Sequence, residues 1–129
     1  MGNLNNQGSI IGRLAADPRV FTNADGSKKV MLTVYADRAY KNATTGQRDS
    51  DRVQLEAWVR AETDGIGVFA HMHTGDLVSL GYSIRSGEYP DKKTGEIIYT
   101  QSLAVQDVSL LESLSTTSAR LAARLAPAA

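Results

Sequence analysis

Apolar and polar residues alternate along several stretches of the chain, a pattern that is typical of half-buried β-strands. In the clearest stretch, Arg52–Arg60, the odd positions from Val53 to Val59 are apolar. The even positions carry Trp58, the only tryptophan in the chain, with an arginine on the same side at each end. An exposed ring flanked by guanidinium groups suits a nucleic-acid base stacked on that ring. The alternative is a solvated strand face whose tryptophan is packed under a loop.

The same alternation predicts the remaining strands. They are Ser9–Leu14, which an extended segment at Arg19–Thr22 continues, Lys28–Tyr40, Asp76–Tyr89 and Ile97–Leu111. Gly12 in the first strand indicates a bulge or a tight bend, and Asp25-Gly26 indicates a hairpin turn. Glu62–Gly75 is predicted to form a short and weak helix, because two glycines lie inside it. Gly75 is the candidate residue for ending this helix.

Two polar loops, Lys41–Asp51 and Pro90–Glu96, join long predicted strands. Small all-β proteins remove exposed strand edges by closing a barrel. The order of elements therefore predicts an all-β fold: a five-stranded OB-fold barrel with one short helix between strands 3 and 4. We expect this domain to span residues 1–112. Residues 113–129 form a C-terminal tail, for which the leucine spacing predicts a short amphipathic helix with Ser118 as its candidate cap.

Composition narrows the classes of function. The chain of 129 residues suits one domain, and the absence of cysteine excludes disulfides and thiolate zinc sites. Fourteen Lys and Arg residues balance fourteen Asp and Glu residues. This balance argues against a general polyanion binder, but it allows a binder whose positive charge lies on one face. No apolar run is long enough to span a membrane, so we expect no membrane association and a cytoplasmic location.

No motif indicates catalysis or cofactor binding. The chain has no GxxxxGK[ST] phosphate loop, no GxSxG nucleophile elbow and no cysteine nucleophile. His71 and His73 are the only histidines, and on a helix their side chains would diverge by about 200°, which is unsuited to chelating a metal ion. We therefore expect no catalytic residues, no metal site, no cofactor and no enzymatic activity.

Aromatic and cationic residues recur on the non-core side of three predicted strands and in the loops beside them. Together they form the stacking platform and cationic track expected for single-stranded nucleic acid. We expect Tyr40, Trp58 and Tyr89 to stack on bases and the cations to contact phosphates. The predicted site consists of Tyr35, Tyr40, Lys41, Arg52, Trp58, Arg60, Arg85, Tyr89, Lys92 and Lys93.

Several short segments follow one another in a distinctive order between Gln7 and Glu112. They are Gly12–Pro18 (GRLAADP), Asp25-Gly26, Tyr40 through Thr45-Gly46, Arg52-Val53, Gly75–Val78, Arg85–Tyr89 and Gly95 through Tyr99-Thr100. In this order and spacing the chain resembles bacterial and phage single-stranded DNA-binding proteins. The resemblance implies an OB fold, most often a homotetramer, that binds single-stranded DNA without sequence preference in replication, recombination or repair. It also implies a location at the bacterial nucleoid or in a phage-infected cell.

The chain departs from this family at four aromatic positions. Tyr40 and Tyr89 stand where the family often has stacking tryptophans, which preserves an aromatic surface. Ser50 stands where another tryptophan is common, and Glu56 where an aromatic residue is common. Trp58 lies one same-face step beyond Glu56 and can compensate for part of this loss.

The tail also departs from the family. Members usually end in a glycine-rich stretch and an acidic tip that recruits partner proteins, whereas this tail carries Arg120 and Arg124 among apolar residues. We therefore do not expect the usual partners of the acidic tip. The neutral net charge and the lost aromatics also favour an alternative function, an OB-fold adaptor for protein interactions, akin to primosomal proteins, with weak DNA binding.

Overall fold

The computed structural model describes residues 4–126 of the chain. Six strands, one 3₁₀ helix and one α-helix follow one another along this part of the chain. They are β1 (Gly8–Leu14), β2 (Arg19–Thr22), β3 (Lys28–Lys41), β4 (Arg48–Val59), the 3₁₀ helix Gly67–His71, β5 (Leu77–Pro90), β6 (Ile97–Leu110) and α1 (Leu114–Leu125).

Five of the strands close into a barrel. The order is β1-β5-β6-β4-β3, and an additional pairing between β1 and β3 completes the ring. The short strand β2, which the sequence predicts as an extended continuation of β1, pairs only with β3 at the margin of the barrel. Within residues 4–126, the only parallel contact is between β4 and β6, at Glu56 and Ala104. The predicted five-stranded OB-fold barrel is therefore confirmed.

Gly12 lies at the point where the barrel closes. β1 pairs with β5 in an unbroken register from Gly8 to Arg13, so the bulge allowed by the sequence is absent there. Next to Gly12, Arg13 pairs with Tyr35 of β3. A Cβ atom at Gly12 would lie 2.2 Å from the backbone oxygen of Tyr35. Glycine is required here because two backbones approach more closely than any side chain permits.

The core follows the predicted alternation. On β3, Val30, Leu32 and Val34 are fully buried, and Met31 and Thr33 between them are partly exposed. Leu55, which pairs with Leu32 on the neighbouring strand β4, and Leu80 on β5 belong to the same core. Period-2 burial is expected for a barrel whose strands have one face in the core and one face in solvent.

Five of the eleven residues of the predicted loop Lys41–Asp51 belong to strands in the structure. β3 and β4 continue pairing to Lys41 and Arg48, which leaves only residues 42–47 as the loop. The Asn42 side chain closes this loop by accepting hydrogen bonds from the amides of Thr44 and Thr45. The sequence obscured the extension because this part of the hairpin projects beyond the core, so both of its faces are polar.

The helix predicted over Glu62–Gly75 is shorter than expected. Only Gly67–His71 is helical, as a 3₁₀ turn. Gly65 has a φ of 71°, a left-handed conformation that interrupts a right-handed helix, and Gly67, the residue at which the 3₁₀ turn begins, has a φ of 62°. Gly75 also has a positive φ, but it lies in the turn before β5 and does not end the helix.

The C-terminal helix predicted for the tail is confirmed as α1. Its N-terminal cap is Ser113, whose hydroxyl accepts a hydrogen bond from the amide of Thr116, and not Ser118 as the sequence suggested. Arg120 attaches the helix to the barrel through Asp76 and Glu112. The predicted barrel domain (1–112) and tail (113–129) extend beyond the described residues by three residues at each end of the chain.

Candidate functional site

The outer face of β3 and β4 carries the centre of the predicted site. Tyr35 is directly opposite Arg52, and Lys29 is directly opposite Trp58. Opposed residues point to the same side of a sheet, so these two pairs share one face. Six residues separate the pairs along β3, which corresponds to about 20 Å. Trp58 is 57% exposed, so it is not packed under a loop.

Tyr40 and Lys41 lie near the tip of the same hairpin. The register of β3 with β4 slips between Asp37 and Lys41, which interrupts the simple alternation before Tyr40. Tyr40 is 69% exposed, and Lys41 pairs with Arg48 next to the loop. The ring and the ammonium group are therefore accessible at the end of the hairpin.

The hairpin of β5 and β6 carries the remaining predicted residues except Arg60, which lies just beyond the end of β4. Arg85 and Tyr89 share one side of β5 by alternation. Ser83 of β5 pairs with Ala104 of β6, which in turn pairs with Glu56 of β4. Arg85 and Tyr89 share a side with Ser83, so they point to the same outer face of the sheet as Glu56. Lys92 and Lys93 lie in the loop between the two strands. The register brings Tyr35 and Arg52 together directly. The pairing between the two hairpins, Glu56 with Ala104, includes none of the predicted site residues.

The predicted phosphate-contacting cations share an electrostatic property. Within residues 4–126, none of their side chains forms an ion pair or an intramolecular hydrogen bond. These six residues are Lys41, Arg52, Arg60, Arg85, Lys92 and Lys93. Every other lysine and arginine of the chain has a partner. Arg13, Lys29, Arg38, Arg120 and Arg124 pair with carboxylates. Lys28 and Arg48 donate to backbone carbonyls, and Arg19 lies over the Phe21 ring.

This partition bears on the neutral net charge of the chain. Five of the fourteen acidic residues pair with cations outside the predicted site: Asp17, Asp51, Glu56, Asp76 and Glu112. Arg38, for example, donates two hydrogen bonds to Asp51 and lowers the pKa of that carboxyl group. The unpaired cations remain available to an anionic ligand. Acidic side chains also lie near them, because Glu88 and Glu96 belong to the β5–β6 hairpin.

An acidic group lies at or beside each of the two positions, Ser50 and Glu56, where the resemblance to single-stranded DNA-binding proteins implies an aromatic residue. Ser50 donates a hydrogen bond of 2.6 Å to Asp37 on the opposite strand. Glu56 forms an ion pair with Lys29, with 3.1 Å between Oε2 and Nζ. Both carboxylates disfavour a nearby phosphate, so this face is less attractive to polyanions than its cations alone suggest.

A groove of ≈ 480 Å³ runs over the outer face of β2 and β3 towards β4. Tyr35 and Arg52 line it, as do three residues that sequence analysis did not assign to the site: Arg19, Phe21 and Lys29. The sequence could have identified Lys29, because alternation along β3 places it on the same side as Tyr35. The side on which Phe21 lies depends on the register of β2 with β3, which no local pattern specifies.

Two other properties of residues 4–126 bear on function. No group of three or more His, Asp or Glu side chains in this part of the chain is arranged to hold a metal ion. No helix within it is long and apolar enough to cross a membrane.

Comparison with known proteins identifies several relatives. Single-stranded DNA-binding protein 1 of Streptococcus pyogenes serotype M6 is 31% identical over 104 residues, which are 80% of this chain and 74% of that protein. Single-stranded DNA-binding protein B of Bacillus subtilis is 26% identical over 99 residues, or 77% of this chain and 84% of that protein.

The single-stranded DNA-binding protein of Lactiplantibacillus plantarum is 28% identical over 109 residues, or 84% of this chain. The match covers 52% of that longer protein. No family model matches the chain.

Proposed function

Because the chain belongs to the bacterial single-stranded DNA-binding protein family, we propose that it binds single-stranded DNA with little sequence preference and without catalysis. The bound strand would be protected and presented during replication, recombination or repair. We assign this binding to the barrel, residues 1–112, and a structural role to the tail, residues 113–129.

One observation carries the proposal: the predicted cations are unpaired, whereas the other basic residues have partners within the protein. An unpaired, solvated cation can exchange its water and counterions for a phosphate without first breaking an internal contact. Exposed Tyr35, Tyr40, Trp58 and Tyr89 on the same hairpins supply rings for stacking. Bases can reach these rings only when they are unpaired, so the arrangement favours single strands over duplex.

Titration with oligo-dT, followed by the fluorescence of Trp58, tests this proposal. We expect quenching on binding, and an affinity that falls as salt rises because phosphate contacts release counterions. With six unpaired cations and about 0.7 per contact for single strands, the slope of log K against log salt should reach about −4 per chain. A duplex of the same length is the control and should bind more weakly. Equal affinity for oligo-dT and for the duplex at moderate salt would contradict the stacking of bases on these rings and would favour the adaptor function.

We further propose that the protein assembles as a homotetramer. Ile11 is 59% exposed and Tyr99 is 77% exposed in the single chain, and symmetric association would cover such apolar surface. Light scattering at micromolar concentration should give four times the 13.9 kDa mass of one chain. A mass of 13.9 kDa would exclude the assembly at that concentration.

A further inference from the structure

A row of three side chains crosses the outer face of β2, β3 and β4. Phe21 on β2 is opposite Lys29 on β3, which is itself opposite Trp58 on β4. Directly opposed residues point to the same side of a sheet, and neighbouring strands lie about 4.8 Å apart. Two aromatic side chains therefore flank one ammonium group, with their strands about 10 Å apart.

Cations already lie against both rings. The Arg19 guanidinium is 5.4 Å from the centroid of the Phe21 ring, and Lys29 Nζ is 5.8 Å from that of Trp58. Phe21 is nevertheless 45% exposed, so much of its surface remains open to solvent. The groove that contains Phe21 continues along β3 to Tyr35 in the predicted site. This surface combines accessible rings with positive charge and joins the proposed DNA path without interruption.

We propose that Phe21, Lys29 and Trp58, with Arg19 beside them, form a nucleotide-binding subsite that extends the single-stranded DNA path across β2. The inference rests on the proposed function and adds to it a segment that the predicted site lacks. One unpaired base stacks on Phe21, and the adjoining phosphate contacts Arg19 and Lys29. Stacking on an exposed ring is tolerant of sequence because every base has a π face.

Glu56 lowers the affinity of this subsite for phosphate. Its carboxylate is 3.1 Å from Lys29 Nζ, and the two side chains are only 17% and 34% exposed. In the free protein Lys29 is therefore neutralised, and an incoming phosphate must compete with a fixed negative charge. Glu56→Gln keeps the shape of the side chain and removes this charge, which leaves Lys29 available to the phosphate.

Two substitutions of Phe21 separate stacking from simple apolar contact. Phe21→Leu keeps an apolar side chain but removes the ring, and we expect it to weaken oligo-dT binding about fivefold or more. Phe21→Trp retains a ring and should bind within about twofold of wild type. Thr22→Ala on the opposite side of β2 is the matched control and should leave affinity unchanged. Anisotropy of labelled oligo-dT measures the affinity, and circular dichroism establishes that each variant is folded.

Glu56→Gln supplies a gain of affinity, which misfolding cannot imitate. We expect binding about threefold tighter at low salt, and a salt slope steeper by about 0.7, the value for one additional phosphate contact. If wild type binds oligo-dT while Phe21→Leu and Glu56→Gln bind equally well, the subsite is refuted and the proposed function stands. Equal weakening in Phe21→Leu and Phe21→Trp also refutes stacking. If wild type fails to bind, the proposed function itself is refuted.

Discussion

Replacing Gly12 by alanine is expected to lower the free energy of unfolding by about 3 kcal/mol, because the new methyl group cannot be accommodated by a side-chain movement. The added Cβ would lie 2.2 Å from the Tyr35 carbonyl oxygen and 2.6 Å from Cγ1 of buried Val34. Relief requires β1 to move away from β3, and this pairing closes the barrel. Urea denaturation monitored by circular dichroism measures the change.

Gly87→Ala provides a matched control for Gly12→Ala. Gly87 also lies inside a strand without a positive φ, but a Cβ there would meet only the Thr100 hydroxyl, at 3.0 Å. A surface hydroxyl can rotate aside, so we expect a change below about 1 kcal/mol. If both variants lose the same stability, the close approach at Gly12 does not determine barrel closure.

Replacing Arg120 by alanine is expected to release α1 from the barrel. Arg120 donates a hydrogen bond of 3.0 Å to the Asp76 carboxylate and a bidentate pair of hydrogen bonds, of 2.8 and 2.7 Å, to the Glu112 carboxylate. Asp76 is buried, so removal of the guanidinium leaves a buried carboxylate without its cation, which is strongly unfavourable. Once released, a helix of twelve residues is marginal in water and should unfold. Hydrogen exchange should show loss of protection for the α1 amides, and the melting temperature should fall.

Arg124→Ala is the matched control on the same helix. Its partner Asp17 and Arg124 itself are 53% and 37% exposed at their side chains, and exposed ion pairs contribute only about 0–1 kcal/mol. We expect this variant to retain most of the protection of α1. Equal protection in wild type and Arg120→Ala would show that the ion pairs are not what holds the helix.

The same contacts give the docking of α1 a defined dependence on pH. Hydrogen bonds from Arg120 and from the Leu77 amide lower the pKa of Glu112 from 4.5 to about 2. Arg124 and the Thr74 amide likewise lower the pKa of Asp17 from 3.8 to about 2. A lowered pKa in the folded state means that the stabilisation is complete above the ordinary value and disappears as pH falls towards 2. Helix protection should therefore be constant at neutral pH and decline below about pH 4.5.

The tail contains no acidic residue that could pair with its two arginines. Arg120 is instead neutralised by Asp76 and Glu112, and Arg124 by Asp17. Both side chains serve to attach the helix, and neither is among the unpaired cations.

Alternation by itself determined the barrel strands and the division of their residues between core and solvent. Val30, Leu32 and Val34 could be assigned to the interior from sequence because a strand exposes alternate residues to opposite faces, whatever its partners are. Alternation of apolar and polar residues is weaker where a strand leaves the core. In the β3–β4 hairpin beyond Asp37 both faces are solvated, so the pattern weakens although pairing continues to Lys41.

Contacts between residues distant in sequence were decided only by the tertiary structure. The closure of β1 against β3 explains Gly12, and the register of β2 brings Phe21 beside Lys29 and Trp58. Arg124 donates a hydrogen bond to Asp17, which lies 107 residues earlier in the chain. Charge counting could not show which cations are free, because pairing depends on the folded positions of both partners. The burial of every second residue is a property of each strand alone. Barrel closure, strand register and ion pairing are properties of the assembled fold.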